Sequence, residues 1–117
     1  MQVTILEINK VLICPLQGEI LDLHVQQIQE EIIARLYKSG AKGVILDVSG
    51  LSLIDSFLGR VLVEITRMVK IMGAKAAITG ITPHVAITIV ELGLPLEHLR
   101  TFGSVEEAIS YIGSEWE

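Results

Sequence analysis

The chain has 117 residues, half of them hydrophobic, with nine basic and fourteen acidic side chains and a net charge of −5. That acidic balance repels a phosphate backbone, and an aromatic content of 4% leaves little for base stacking, so nucleic-acid binding is not expected. Mean hydropathy is +0.57; no run approaches the ~18 apolar residues of a membrane span, so partner subunits rather than lipid are expected to cover the surplus.

Val3–Ile8 and Val11–Cys14 are rich in β-branched and apolar residues, with Asn9-Lys10 between them, which predicts a hairpin. From Leu21 the period becomes helical: Leu21, Val25, Ile28, Ile32 and Leu36 share a face, and Gly40 ends the helix. Val44-Ile45-Leu46 is a continuous apolar run, as in a strand buried on both faces, with Asp47 at its end.

A second helix is predicted from Ser56 to Met72, with Leu58, Val61, Leu62, Ile65, Val69 and Met72 inward. Arg60, Glu64, Arg67 and Lys70 mark its wet side. Lys75–Thr79 is a further short strand. Thr82 and Pro83 open a third helix as cap and first residue, with Val85, Ala86, Ile89 and Val90 as its apolar face. Leu99–Phe102 is a candidate last strand. Ser104 and Glu107 have capping-box spacing before Val105, Ala108, Ile109 and Ile112. The expected fold is α/β: one domain over residues 1–117, with a mixed, mostly parallel sheet covered by about four helices.

Most chemistry is argued against by spacing. A cysteine phosphatase needs arginine six residues after its nucleophile, and Cys14 is followed there by Ile20. Cys14 reads instead as a small hydrophobe in a strand, and a lone cysteine fits a reducing cytosol. The start, Met1-Gln2-Val3-Thr4, has no secretory pattern. Asp47 could serve as a receiver's phosphoacceptor, but Glu7 is the one early acidic candidate for the Mg²⁺ it needs; a local hydrogen bond is the simpler role. His24, His84 and His98 lack metal-ligand spacing, and His84 is expected on an exposed face. Gly80-Ile81-Thr82-Pro83 is a strand-to-helix turn without a phosphate-cradle pattern, and Glu30-Glu31 and Glu106-Glu107 read as solvated. The expectation is a non-enzyme without cofactor or metal that works by binding other proteins.

Leu53-Ile54-Asp55-Ser56-Phe57-Leu58-Gly59 stands apart. Two apolar residues deliver the chain to a helix start with Asp55 and Ser56 at its tip. Either side chain could cap the helix, worth roughly 1 kcal/mol. A hydroxyl there also sits where amide groups and the helix dipole favour an anion, so a phosphate on Ser56 could be accommodated.

The Asp55-Ser56 pair, with the strand before it, resembles the STAS domains, the bacterial anti-sigma-factor antagonist fold. Met72-Gly73-Ala74-Lys75, Thr79-Gly80-Ile81-Thr82-Pro83 and Glu91-Leu92-Gly93 extend the resemblance over nearly the whole chain. Simple antagonists follow Asp-Ser with a small residue and Gly-Leu-Gly; Phe57-Leu58-Gly59-Arg60 departs from this and resembles the stand-alone stressosome branch. The sensor-bearing branch typically has an added N-terminal domain and threonine at the acceptor.

The resemblance implies a cytoplasmic scaffold subunit in a large homo- or hetero-oligomer with a sensor-bearing STAS paralogue (RsbR type). It implies Ser56 as phosphoacceptor, supported by Asp55, for a GHKL-type serine/threonine switch kinase (RsbT type). A phosphatase (RsbX type) would reset it, and Phe57, Gly59 and Arg60 would face the partner. Phosphorylation would release the kinase to start a general stress response. Three rivals remain open: an antagonist binding an anti-sigma kinase directly, a receiver using Asp47, and a scaffold whose Ser56 is never modified.

Overall fold

A computed structural model describes residues 3–18, 20, 22–95 and 99–114. The readings at Met1, Gln2, Leu21 and His98 lie outside the described residues. In chain order the elements are β1 (Leu6–Ile8), β2 (Val11–Gly18), α1 (Asp22–Ser39), β3 (Gly43–Leu51), α2 (Ser56–Ile71), β4 (Lys75–Thr79), α3 (Pro83–Glu91), β5 (Thr101–Phe102) and α4 (Val105–Gly113).

The hairpin closes through Asn9 and Lys10, whose φ values of 53° and 64° are what a two-residue type I′ turn needs at both central positions. β1 begins at Leu6 rather than Val3, although Val3 and Ile5 still pack against the core. β2 and β3 outrun the expected Cys14 and Leu46, reaching Gly18 and Leu51 as a parallel pair. Asp47 therefore lies within β3, between Pro15 and Thr79, and does not end the strand. Apolar runs marked the doubly buried part of each strand and missed the half-exposed extensions.

The sheet order is β1-β2-β3-β4-β5, antiparallel in the first pair and parallel thereafter. Each parallel crossover advances in the same direction across the sheet. Right-handed crossovers then put α1, α2 and α3 on one face. Val25, Ile28, Ile32 and Leu36 of α1 and Leu58, Val61, Leu62, Ile65 and Val69 of α2 meet Leu12, Cys14, Val44, Leu46 and Ile78 there. After β5 the chain crosses to the other face, where Ala108 and Ile112 of α4 pack on Val11, Ile13, Ile45 and Ala77. The run Val44-Ile45-Leu46 is buried on both faces, as its composition requires.

Three inward assignments are corrected. Met72 caps α2 and is 38% exposed, because the helix ends before bringing it over the sheet. Ala86 and Val90 of α3 face outward, while Val85 and Ile89 are buried. The apolar residues Val85, Ala86, Ile87, Ile89 and Val90 lie on more than one side of this short helix, so periodicity cannot choose the buried side.

Thr82 and Ser104 cap α3 and α4, accepting from Val85 N at 3.3 Å and Glu107 N at 3.2 Å. Gly40, with φ of +65° just past α1, donates to the Leu36 carbonyl at 3.1 Å.

Cys14 is 1% exposed within this core. Burial, with a smaller contribution from the Glu31 carboxylate, pushes its thiol from 9.0 up to about 11. The folded state thus favours the protonated thiol, and this stabilisation is complete below pH 9 and lost as pH rises through 11. Urea titrations should show the wild type losing on the order of 2–3 kcal/mol more than Cys14→Ala over that interval. Parallel losses in the two proteins would show that the thiol does not titrate in this way.

Candidate functional site

At the end of β3 the chain is tied back to β2, Ser52 N donating to the Gly18 carbonyl at 3.0 Å. Ile54 is then buried, anchoring the approach, while Leu53 beside it is 54% exposed. The next residue, Asp55, is extended (φ −117°, ψ −179°) and forms the N-cap of α2. Its Oδ1 accepts from Leu58 N at 2.8 Å, and its carbonyl accepts the first helical bond from Gly59 N at 2.9 Å. Asp55, not Ser56, is the cap.

Ser56 is the first helical residue and is exposed. None of the hydrogen bonds among the described residues uses its hydroxyl. The amides of Ser56 and Phe57 precede the first helical bond, so the helix supplies them no acceptor. No acidic side chain lies in the first turn of α2. The site is a free hydroxyl at the positive end of a sixteen-residue helix, held by a neighbouring cap.

Phe57 is 40% exposed and Arg60 is exposed, so both lie on the surface around Ser56. Gly59, the third residue expected to face the partner, does not lie on that surface. It is buried, and a Cβ at this position would stand 2.5 Å from Leu94 Cδ1. A glycine inside a helix costs about 1 kcal/mol relative to alanine. Close approach of Leu94 is the reason for one here, and that cost was the signal available in the sequence.

Removing the cap should affect stability without removing the acceptor. Asp55→Ala leaves Leu58 N unpaired and should cost about 0.5–2 kcal/mol, measured by chemical denaturation. Ser56→Ala, which breaks no hydrogen bond of the described structure, should change stability by less than about 0.5 kcal/mol. Equal losses in the two variants would contradict the division of labour.

Asp47 lies elsewhere, among β-strand neighbours. Its Oδ1 accepts from Thr79 Oγ1 at 3.2 Å and from Ser49 N at 3.4 Å, and its Oδ2 from Ser49 Oγ at 3.1 Å. The local hydrogen bonding expected of it is present. Glu7 is on edge strand β1, separated from β3 by the whole of β2, so the two carboxylates do not converge. Among the described residues, no three His, Cys, Asp or Glu side chains come together as a metal site. His84 is exposed on the first turn of α3.

The chain matches a known family, whose model, described as "STAS domain", covers residues 2–108. The chain belongs to the STAS domain family. Among solved structures this STAS chain is similar to a serine-to-glutamate variant of Moorella thermoacetica RsbS. The two are 33% identical with a TM-score of 0.84, over 96% of this chain and 95% of that one. A chain from the molecular architecture of the stressosome, "a signal integration and transduction hub", is 32% identical with a TM-score of 0.79, covering 93% of this chain and 95% of that one. Bacillus subtilis RsbRA, an RsbT co-antagonist protein, is 27% identical over 86% of this chain. This STAS domain spans 37% of the length of RsbRA.

Proposed function

We propose that this STAS protein is a non-catalytic scaffold subunit of a stressosome-type assembly that holds a GHKL-type switch kinase and releases it when Ser56 is phosphorylated. The observation that carries this reading is the separation of roles at the start of α2. Asp55 caps the helix, leaving the neighbouring hydroxyl exposed and uncommitted. Likeness to RsbS over nearly the full length of both chains supports the stand-alone branch, and likeness to RsbRA supports a paralogous STAS partner.

Assembly has a physical motive in this fold. Tyr37 and Ile71 are more than four-fifths exposed, and Ile87 and Val90 project from α3. Where such residues adjoin, as Ile87 and Val90 do on α3, apolar surface is the kind that other subunits cover. Among the described residues no helix is long and apolar enough to cross a membrane. The proposed setting is the cytoplasm, where the kinase and a resetting phosphatase act on one exposed serine.

Incubating the protein with its kinase and ATP, then mapping the product by mass spectrometry, tests the acceptor. The expected product is a single acid-stable phosphate on Ser56. An acid-labile phosphate on Asp47, or modification at another serine, overturns the assignment. Light scattering tests the scaffold: a monomer at tens of micromolar, unchanged by a paralogous STAS partner, counts against it.

A further inference from the structure

We propose that Arg60 is the built-in counter-ion of the modified serine, its guanidinium turning back along α2 to pair with a phosphate on Ser56. The inference rests on Ser56 being the acceptor and concerns the domain's own response to that modification. Ser56 and Arg60 are four residues apart on one helix, which puts their Cβ atoms about 5–6 Å apart on the same face. Both are exposed. Helical side chains lean toward the N-terminus, a tendency that favours an Arg60 side chain reaching back toward residue 56.

Among the described residues Arg60 makes no ion pair. Its alternatives on the helix are poor. Glu64 lies one turn C-terminal to it, the weaker order for an i,i+4 pair, because the acidic member is better placed N-terminally. Asp55 precedes it by five residues, off that face, with one carboxylate oxygen already on Leu58 N. A phosphate at residue 56 would occupy the favourable N-terminal position with a charge of about −1.5 to −2 and three acceptor oxygens. The guanidinium fork can meet two of those oxygens at once. Arg60 is the one cation in the first two turns of the helix.

Modification therefore changes the surface twice. It adds negative charge at Ser56 and withdraws an exposed cation that an acidic group on a docked partner could otherwise engage.

The test uses full-length protein carrying phosphoserine at residue 56 by genetic encoding, so that it does not depend on the kinase. The readout is the second ionisation of the phosphate, measured by phosphorus NMR against pH. In the wild type it should occur about half a pH unit lower than in Arg60→Gln. Arg60→Lys should fall between them, keeping the charge but losing the fork. Superimposable titrations of wild type and Arg60→Gln, with thermal melts showing both folded, overturn the pairing. That result would leave Ser56 as acceptor untouched. Failure of the kinase to modify Ser56 would remove the functional reading while leaving the titration result standing.

Discussion

Ser56→Ala is expected to abolish kinase-dependent phosphorylation completely while leaving kinase affinity at the level of the unmodified wild type. The substitution removes an exposed hydroxyl that no described residue uses, and it spares the Asp55 cap. The variant should therefore fold normally and remain in the kinase-retaining state under stress. Phosphorylated wild type should do the opposite, binding the kinase more weakly with an unchanged circular-dichroism spectrum. Inside the domain, the helix N-terminus and the proposed Arg60 pair each offset the new charge by roughly 0.3–1 kcal/mol, and the neighbouring Asp55 carboxylate opposes it. Those effects are small and opposed, so the fold survives. At an interface over Phe57 and Arg60 the phosphate and the guanidinium paired with it must both be desolvated, a cost of several kcal/mol unless the docked partner supplies matching groups. Ser56→Asp should imitate the modified state incompletely, having one charge and fewer acceptor oxygens. Binding measured by calorimetry for the wild type, the phosphorylated form and both variants decides the matter. Equal affinities throughout, or unfolding on phosphorylation, would sink the mechanism.

Gly80→Ala should be among the most damaging single-methyl additions to this fold. Gly80 leaves β4 with φ of +78°, and a Cβ there would stand 2.6 Å from Ser49 Cβ, 2.7 Å from Asp47 Oδ1 and 2.9 Å from Ser49 N. The backbone amide belongs to β3 and cannot move aside cheaply. Shifting the carboxylate would break its bond to Thr79 Oγ1. Left-handed strain and overpacking together should cost about 2–4 kcal/mol and lower the melting midpoint by roughly 10–20 °C. Gly40→Ala provides the control: its φ is +65°, but nothing lies within 4 Å of the added Cβ, so strain alone, about 1 kcal/mol, should appear. If both variants melt alike, the contact with Asp47 and Ser49 contributes nothing.

Much of this protein was legible from residue order because the governing interactions are local. The periods of α1 and α2 state which faces they bury, since a helix of four or five turns has few ways to hide Ile28, Ile32, Leu36, Leu62, Ile65 and Val69. Thr82-Pro83 and Ser104 announce helix starts because capping satisfies amides within one turn. The Asp55-Ser56 pair was visible for the same reason, together with the family it resembles. Residue type did not say which of the two caps, since both serve as N-caps. The extended Asp55 backbone and the 2.8 Å bond to Leu58 N settle it and leave Ser56 exposed.

The outcomes that depend on distant segments were decided by tertiary structure. Asp47 looked like the end of a strand until pairing with Pro15 and Thr79 carried β3 on to Leu51. Gly59 looked like surface until Leu94, thirty-five residues later, occupied the space where a side chain would have been. The apolar residues of α3 could have been buried in several ways, and docking against the sheet chose Val85 and Ile89 over Ala86 and Val90. Sequence order thus determined the elements, their caps and the helix start that carries Ser56, through bonds and periods confined to a few residues. Only packing between elements far apart in the chain decided which atoms around that serine face solvent, because burial belongs to the assembled sheet and helices.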